Sequence, residues 1–154
     1  MKMDKIENVV NRLRKNRYAT LSTPLKKEDF LAIKDMMEEE GFPTIEDGMF
    51  ELFRFLDGIA YNGVELFCCY PGALREGNYS LPDIISSNRE FREYYSRHEE
   101  YKDSFLYIGR TDEDLVLFDA ENGKYLICAR EDLMVYEETD NFADLVQMVF
   151  NGRL

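Results

Sequence analysis

The chain has 154 residues, 45% of them hydrophobic, including 11 Phe and 10 Tyr, which is enough for one packed domain over 1–154 and argues against disorder. Thirty-one acidic against 19 basic residues give a formal net charge of −12, which disfavours nucleic acid and anionic membrane surfaces as direct partners and favours a basic partner or plain solubility. Three cysteines, Cys68, Cys69 and Cys128, form an odd set with two adjacent, so a disulfide framework is not expected.

In chain order, Ile6, Val9, Val10 and Leu13 recur at helical spacing and predict a first helix from Asp4 to Lys15. The opening segment "MKMDKIENVVNRLRKN" is amphipathic, not continuously apolar, so neither a signal peptide nor a membrane span is expected and a cytoplasmic location is. A second helix is predicted with Thr23 as cap, Pro24 at the first helical position, Phe30, Ile33 and Met37 as its buried stripe, and Gly41 at its end. A third is predicted from a capping-box variant, Thr44 with Asp47, through Met49, Phe50, Phe53 and Leu56 to a stop at Asp57 and Gly58.

Asn62 with Gly63 reads as a hairpin turn in which both central residues accept positive φ, followed by the strand "VELFCCY". Residues 71–79 lack a period and read as a loop. From Pro82 a fourth helix runs through Ile84, Ile85, Asn88, Phe91 and Tyr95. Then "SFLYIGR", "DLVLFDA", "KYLICAR" and "LMVYEE" are separated by two or three residues, a spacing that allows only antiparallel hairpins. Phe142, Leu145, Val146 and Val149 mark a last helix capped by Asp140 or Asn141. The order predicts an α+β fold with a single antiparallel sheet flanked by helices.

Catalytic equipment is sparse. The one histidine, His98, sits among charges in "YSRHEEYK", where a solvated helix end is the default reading. Cys68 and Cys69 lack the spacing of a structural zinc site and read as core. "RTDEDLVLFD" lacks the alternating ligands and central glycine of a helical calcium loop, and "LDGIAYNGV" has helix before strand, the reverse of a phosphate-binding loop. No cofactor or metal is expected. The acidic turn Asp112, Glu113 and Asp114 and the run Glu38, Glu39 and Glu40 are the candidate protein-binding groups, able to steer a basic surface toward the domain. Tyr61, Tyr94, Tyr95 and Tyr101 are candidate aromatic anchors, and equally candidates for half-buried core positions.

A Phe/Leu-rich helix ending in "FRFLDG", the segment "YNGVELF", a helical insertion, "FLYIG", Leu115 to Phe118 and the closing "FADLVQMVF" together resemble the SUKH superfamily over Phe42 to Phe150. That superfamily holds the fungal cell-wall glucan-synthesis regulators and bacterial relatives, among them a YrhA-like branch. The chain has no tryptophan, where many members carry one near the first helices. The resemblance implies an α+β fold with Asp57, Gly58, Asn62, Gly63 and Gly109 as its structural signature. It also implies binding without catalysis: a cytoplasmic immunity protein, or antitoxin, that neutralises a toxin domain, often a nuclease, or alternatively an intracellular regulatory or scaffolding protein like the fungal members.

Overall fold

The structure is a computed structural model that describes residues 4–154, so the first three residues of the amphipathic N-terminal segment lie outside it. Helix α1 (Lys5–Lys15) forms where the apolar stripe predicts it, its first turn capped by the Asp4 carboxylate on the Ile6 amide at 2.7 Å. Helix α2 (Lys27–Glu39) buries Phe30, Ile33 and Met37 as expected but starts three residues beyond Pro24. Long-range hydrogen bonds hold the preceding residues extended: Thr23 N–H donates to Ala73 O at 3.0 Å, Leu25 N–H to Phe53 O at 2.8 Å, and Asp57 N–H to Thr23 O at 2.9 Å. Three inter-segment bonds outweigh one local cap, and Thr23 does not cap the helix.

The third helix is likewise shorter than its pattern. A 3₁₀ turn over Asp47–Met49 leads into α3 (Phe50–Phe53), with no side-chain cap at either start. The Asp47 carboxylate pairs with Lys34 at 2.6 Å, and Glu46 accepts a hydrogen bond from the Tyr125 hydroxyl, so local capping groups serve tertiary contacts. Strands β1 (Ile59–Tyr61) and β2 (Val64–Leu66) form a hairpin across Asn62 (φ 49°) and Gly63 (φ 81°), the left-handed pair its two-residue turn requires. Within the predicted 71–79 loop lies a second, two-stranded hairpin, β3 (Arg75–Glu76) with β4 (Tyr79–Ser80).

Helix α4 (Ile84–Tyr95), capped by Asp83 on the Ser86 amide, precedes the meander β5 (Phe105–Arg110), β6 (Asp114–Asp119), β7 (Lys124–Ala129) and β8 (Val135–Thr139), and α5 (Phe142–Val149) closes with Asn141 as its cap. The six-stranded sheet runs β1-β2-β5-β6-β7-β8 with every pairing antiparallel. The fold is therefore α+β, one main sheet with a small satellite hairpin where a single sheet was expected. Tyr107 pairs with Leu117, and Leu106 with Phe118, so Tyr107 and Phe118 face opposite ways. Phe91 of α4 meets Tyr107 at 5.2 Å between ring centroids, while Phe142 of α5 meets Tyr125, which pairs with Phe118, at 5.4 Å. Helices thus cover both faces, which explains why β5 to β7 are buried almost continuously.

Where β5 loses β2, a side chain replaces the missing strand. Asn88, 2% exposed, donates to Tyr107 O at 2.9 Å and to Ile84 O at 2.8 Å and accepts from Tyr107 N–H at 2.8 Å. Asn88→Ala should leave the Tyr107 amide and carbonyl buried without partners and lower stability by about 2 to 3 kcal/mol. Chemical denaturation of the variant measures this; a loss within 0.5 kcal/mol, the size of an ordinary surface change, would contradict it.

Candidate binding surface

The signature residues gather at one corner of the sheet, and their roles differ from those the local sequence implied. Asp57 does not stop a helix, because α3 ended at Phe53. Its fully buried carboxylate accepts from the amides of Cys69 at 2.7 Å and Tyr70 at 2.9 Å, pinning the chain beyond β2. Burial pushes the Asp57 carboxyl up to about 6, against the downward pull of the two amides. Gly58 (φ 90°) passes so close to β2 that a Cβ there would sit 2.8 Å from Leu66 O and 2.5 Å from Leu81 Cδ2. At Gly109, a Cβ would sit 2.5 Å from Glu65 O. A register shift between Tyr107 and Gly109 places a bulge here, which re-aims the residues that follow.

Intramolecular pairing occupies half of the six predicted binding carboxylates. Asp112 lies 3.7 Å from Arg153, whose guanidinium also donates to Asn62 O at 2.7 Å. Asp114 is half-buried, closes the turn with Thr111 through the Thr111 N–H to Asp114 O bond of 3.0 Å, and accepts from the Tyr136 hydroxyl, whose pKa burial and this bond push up. Glu40 accepts from Arg89 Nε at 3.0 Å, and this guanidinium holds its carboxyl below the usual range. Among the described residues Glu38, Glu39 and Glu113 are the exposed members of the six without an ion pair, and no hydrogen bond or ion pair joins the two runs.

A more coherent acidic surface lies elsewhere, assembled from parts of the chain distant in sequence. A groove of about 540 Å³ is lined by the 98–102 segment after α4, by β7 and by the edge strand β8 with the turn before it. Leu126, Leu133, Met134 and Val135 line it, with Met134 63% exposed, together with Glu99, Glu100, Asp132 and Glu138. None of these four carboxylates has an ion pair among the described residues, and the cation that shares the lining, Lys102, lies 3.9 Å from Asp119, so the groove carries net negative charge beside the exposed Met134 and Val135. The charges of "YSRHEEYK" read in the sequence as a solvated helix end, and nothing local connects Glu99 and Glu100 to Asp132 or Glu138.

Among the predicted aromatic anchors, Tyr94 is 79% exposed, Tyr95 is buried, and Tyr61 and Tyr101 are half-buried. His98 is half-buried, and its Nε2 lies 3.1 Å from Glu131 O. All three cysteines are buried thiols; burial pushes Cys68 and Cys128 up to about 12 and raises Cys69 well above its ordinary value, so they pack as apolar groups. Among the described residues no helix is long and apolar enough to cross a membrane, and no group of three or more His, Cys, Asp or Glu is arranged to hold a metal ion.

The fold and this surface define a helix-flanked antiparallel α+β domain with an acidic, partly apolar groove. No family model matches the chain, and no curated protein matches it.

Proposed function

We propose that the chain is a non-catalytic protein-binding domain, a cytoplasmic immunity protein of SUKH type that neutralises a toxin domain with a basic surface. The observation that carries this reading is the groove in which exposed Met134 and Val135 lie with Glu99, Glu100, Asp132 and Glu138, none of which has an ion pair among the described residues. Exposed apolar side chains beside charged ones are the materials of a protein interface. A nuclease must carry cationic surface to hold phosphates, so an acidic groove competes for the same charges and speeds encounter. The resemblance adds support, because its signature residues Asp57, Gly58, Asn62, Gly63 and Gly109 serve as structural joints of the β1-β2-β5 corner and leave the groove free to vary.

The test is co-expression with the catalytic domain of the toxin encoded beside the gene. Protection of the cells is expected, and killing at full rate despite soluble expression of both proteins would refute the reading. Changing Glu99, Glu100, Asp132 and Glu138 together to their amides should slow association with that domain about tenfold at low salt and flatten its salt dependence. Neutralising Asp112, Glu113 and Asp114 should do much less, since Asp112 and Asp114 are already engaged. Stopped-flow association rates at two ionic strengths separate the two surfaces. The alternative, a regulatory or scaffolding role like that of the fungal members, predicts a stable host protein recovered with the chain and no toxin gene beside it.

A further inference from the structure

On the α4 side of the sheet a second groove, of about 890 Å³, has the opposite character. Three guanidiniums line it, from Arg97, Arg110 and Arg130, in a chain with 31 acidic and 19 basic residues. Arg110 follows the bulge at Gly109 and is held by Glu65, which also accepts from the Tyr79 hydroxyl. Arg130 is different. It is half-buried, its Nη2 donates to Thr111 O, and among the described residues its buried Nε has no acceptor and it has no carboxylate partner. A half-desolvated cation without a counter-ion is costly to a fold, and an anion in the groove would offset that cost through its charge. Arg130 also borders an adjoining hollow of about 560 Å³ together with Arg110, so the guanidinium stands between two open spaces.

Rings complete the groove. Phe91, Tyr95 and Tyr107 form its floor, and Tyr94, 79% exposed, stands edge-on to Tyr95 with centroids 4.7 Å apart. Such a wall offers a planar ligand contact area beside a positive charge, and the groove's size is usual for small-molecule sites. Glu90 and Glu93 of α4 line the same groove and oppose highly charged anions. We infer that this groove binds a small planar organic monophosphate, its phosphate beside the guanidiniums of Arg130, Arg97 and Arg110 and its ring against Tyr94 and Tyr95. A guanidinium matches a phosphate edge with two parallel N–H donors, whereas polyphosphates and nucleic acid meet the α4 carboxylates and the overall negative field. The inference is independent of toxin binding, which uses the other groove.

Phenyl phosphate, inorganic phosphate and benzoate are the probes, titrated into the full chain while the amide and Arg Nε–H resonances are followed by NMR. Phenyl phosphate should bind saturably with a Kd on the order of 1 mM or tighter, shifting the Arg130 Nε–H and the Tyr94 amide. Inorganic phosphate and benzoate should each bind at least several-fold more weakly. Arg130→Gln should weaken phenyl phosphate tenfold or more. Tyr94→Ala, at an exposed position that leaves folding undisturbed, should weaken phenyl phosphate several-fold without changing inorganic phosphate. Absence of shifts at Arg130 and Tyr94, equal affinity for all three probes, tighter binding of benzoate, or a folded Arg130→Gln variant that binds normally would each overturn the assignment.

Discussion

Replacing Asp57 by alanine is expected to destabilise the domain by about 3 kcal/mol, which for a domain of this size corresponds to a fall of roughly 10 °C in Tm. The loss follows from what is left behind. The amides of Cys69 and Tyr70 both point at the Asp57 carboxylate, at 2.7 and 2.9 Å, in a place where the carboxylate itself has no exposure to water. Alanine removes both acceptors at once, and each stranded amide keeps its desolvation cost without a partner. Removal of a buried charge offsets part of this, which is why the figure stays below the sum of two orphaned donors. Thermal denaturation checks it, and a Tm within 2 °C of the parent would show that the corner does not depend on this carboxylate.

Asparagine at the same position separates hydrogen bonding from charge. Burial holds the Asp57 carboxyl at about 6, above the ordinary 3.8, so the folded state binds this proton more tightly than the unfolded chain does. The group therefore contributes most to stability below about pH 4, and its contribution is lost as pH rises from about 4 through 6. Asp57→Asn carries no such titration. The stability gap between parent and Asp57→Asn should accordingly narrow as pH rises from 4.5 to 7.5, by an amount on the order of 2 kcal/mol. A gap that widens over that range would mean that the two amides outweigh burial and that the carboxyl lies low.

These expectations locate what the sequence could and could not disclose. Elements whose signals are local were legible: the stripe Ile6, Val9, Val10 and Leu13, the meander with its two- and three-residue turns, the Asn62–Gly63 hairpin and the Asn141 cap. Boundaries set by distant partners were not. Thr23 and Pro24 carry a good helix start, yet their backbone is drawn into an extended strap by Ala73, Phe53 and Asp57. Asp57 before Gly58 resembles a helix stop, and nothing within several residues shows that its carboxylate serves two amides 12 and 13 positions away. The binding surface was harder still. Adjacent carboxylates at 112–114 and 38–40 stand out in a sequence, but Arg153 and Arg89 claim part of them. Glu99, Glu100, Asp132 and Glu138 come to line one groove only through the fold, which brings the 98–102 segment to the same hollow as β8. Exposed partners for another molecule are what remains after the fold has used its own charges, a difference that composition alone does not reveal.

Gly58→Ala and Gly109→Ala should be the most damaging single-methyl changes in the chain, each costing about 4 kcal/mol or more, a large part of a typical total of 5 to 15 kcal/mol. At Gly58 the cost has two sources: a φ of 90° that alanine rarely adopts, and a Cβ placed 2.8 Å from Leu66 O and 3.0 Å from Cys68 N, which are backbone atoms of the segment that Asp57 anchors. At Gly109 the conflict is steric, since the Cβ would stand 2.5 Å from Glu65 O, where β5 and β2 are paired through Leu66 with Gly109 and Glu65 with Arg110. Neither backbone can retreat without breaking that pairing, and β1 is attached to the sheet only through β2. Gly123→Ala is the matched control: its φ is 66°, but nothing lies within 4 Å of the added methyl, so only the backbone strain of about 1 kcal/mol remains. Hydrogen exchange then distinguishes local from global damage. In a Gly109→Ala chain that still folds, amides of Ile59 to Leu66 should lose protection by orders of magnitude while those of β6 and β7 keep theirs, because the hairpin detaches before the meander opens. Equal effects of the alanines at 58, 109 and 123 would show that close strand approach, the physical reason for glycine at the first two, is not what holds this corner together.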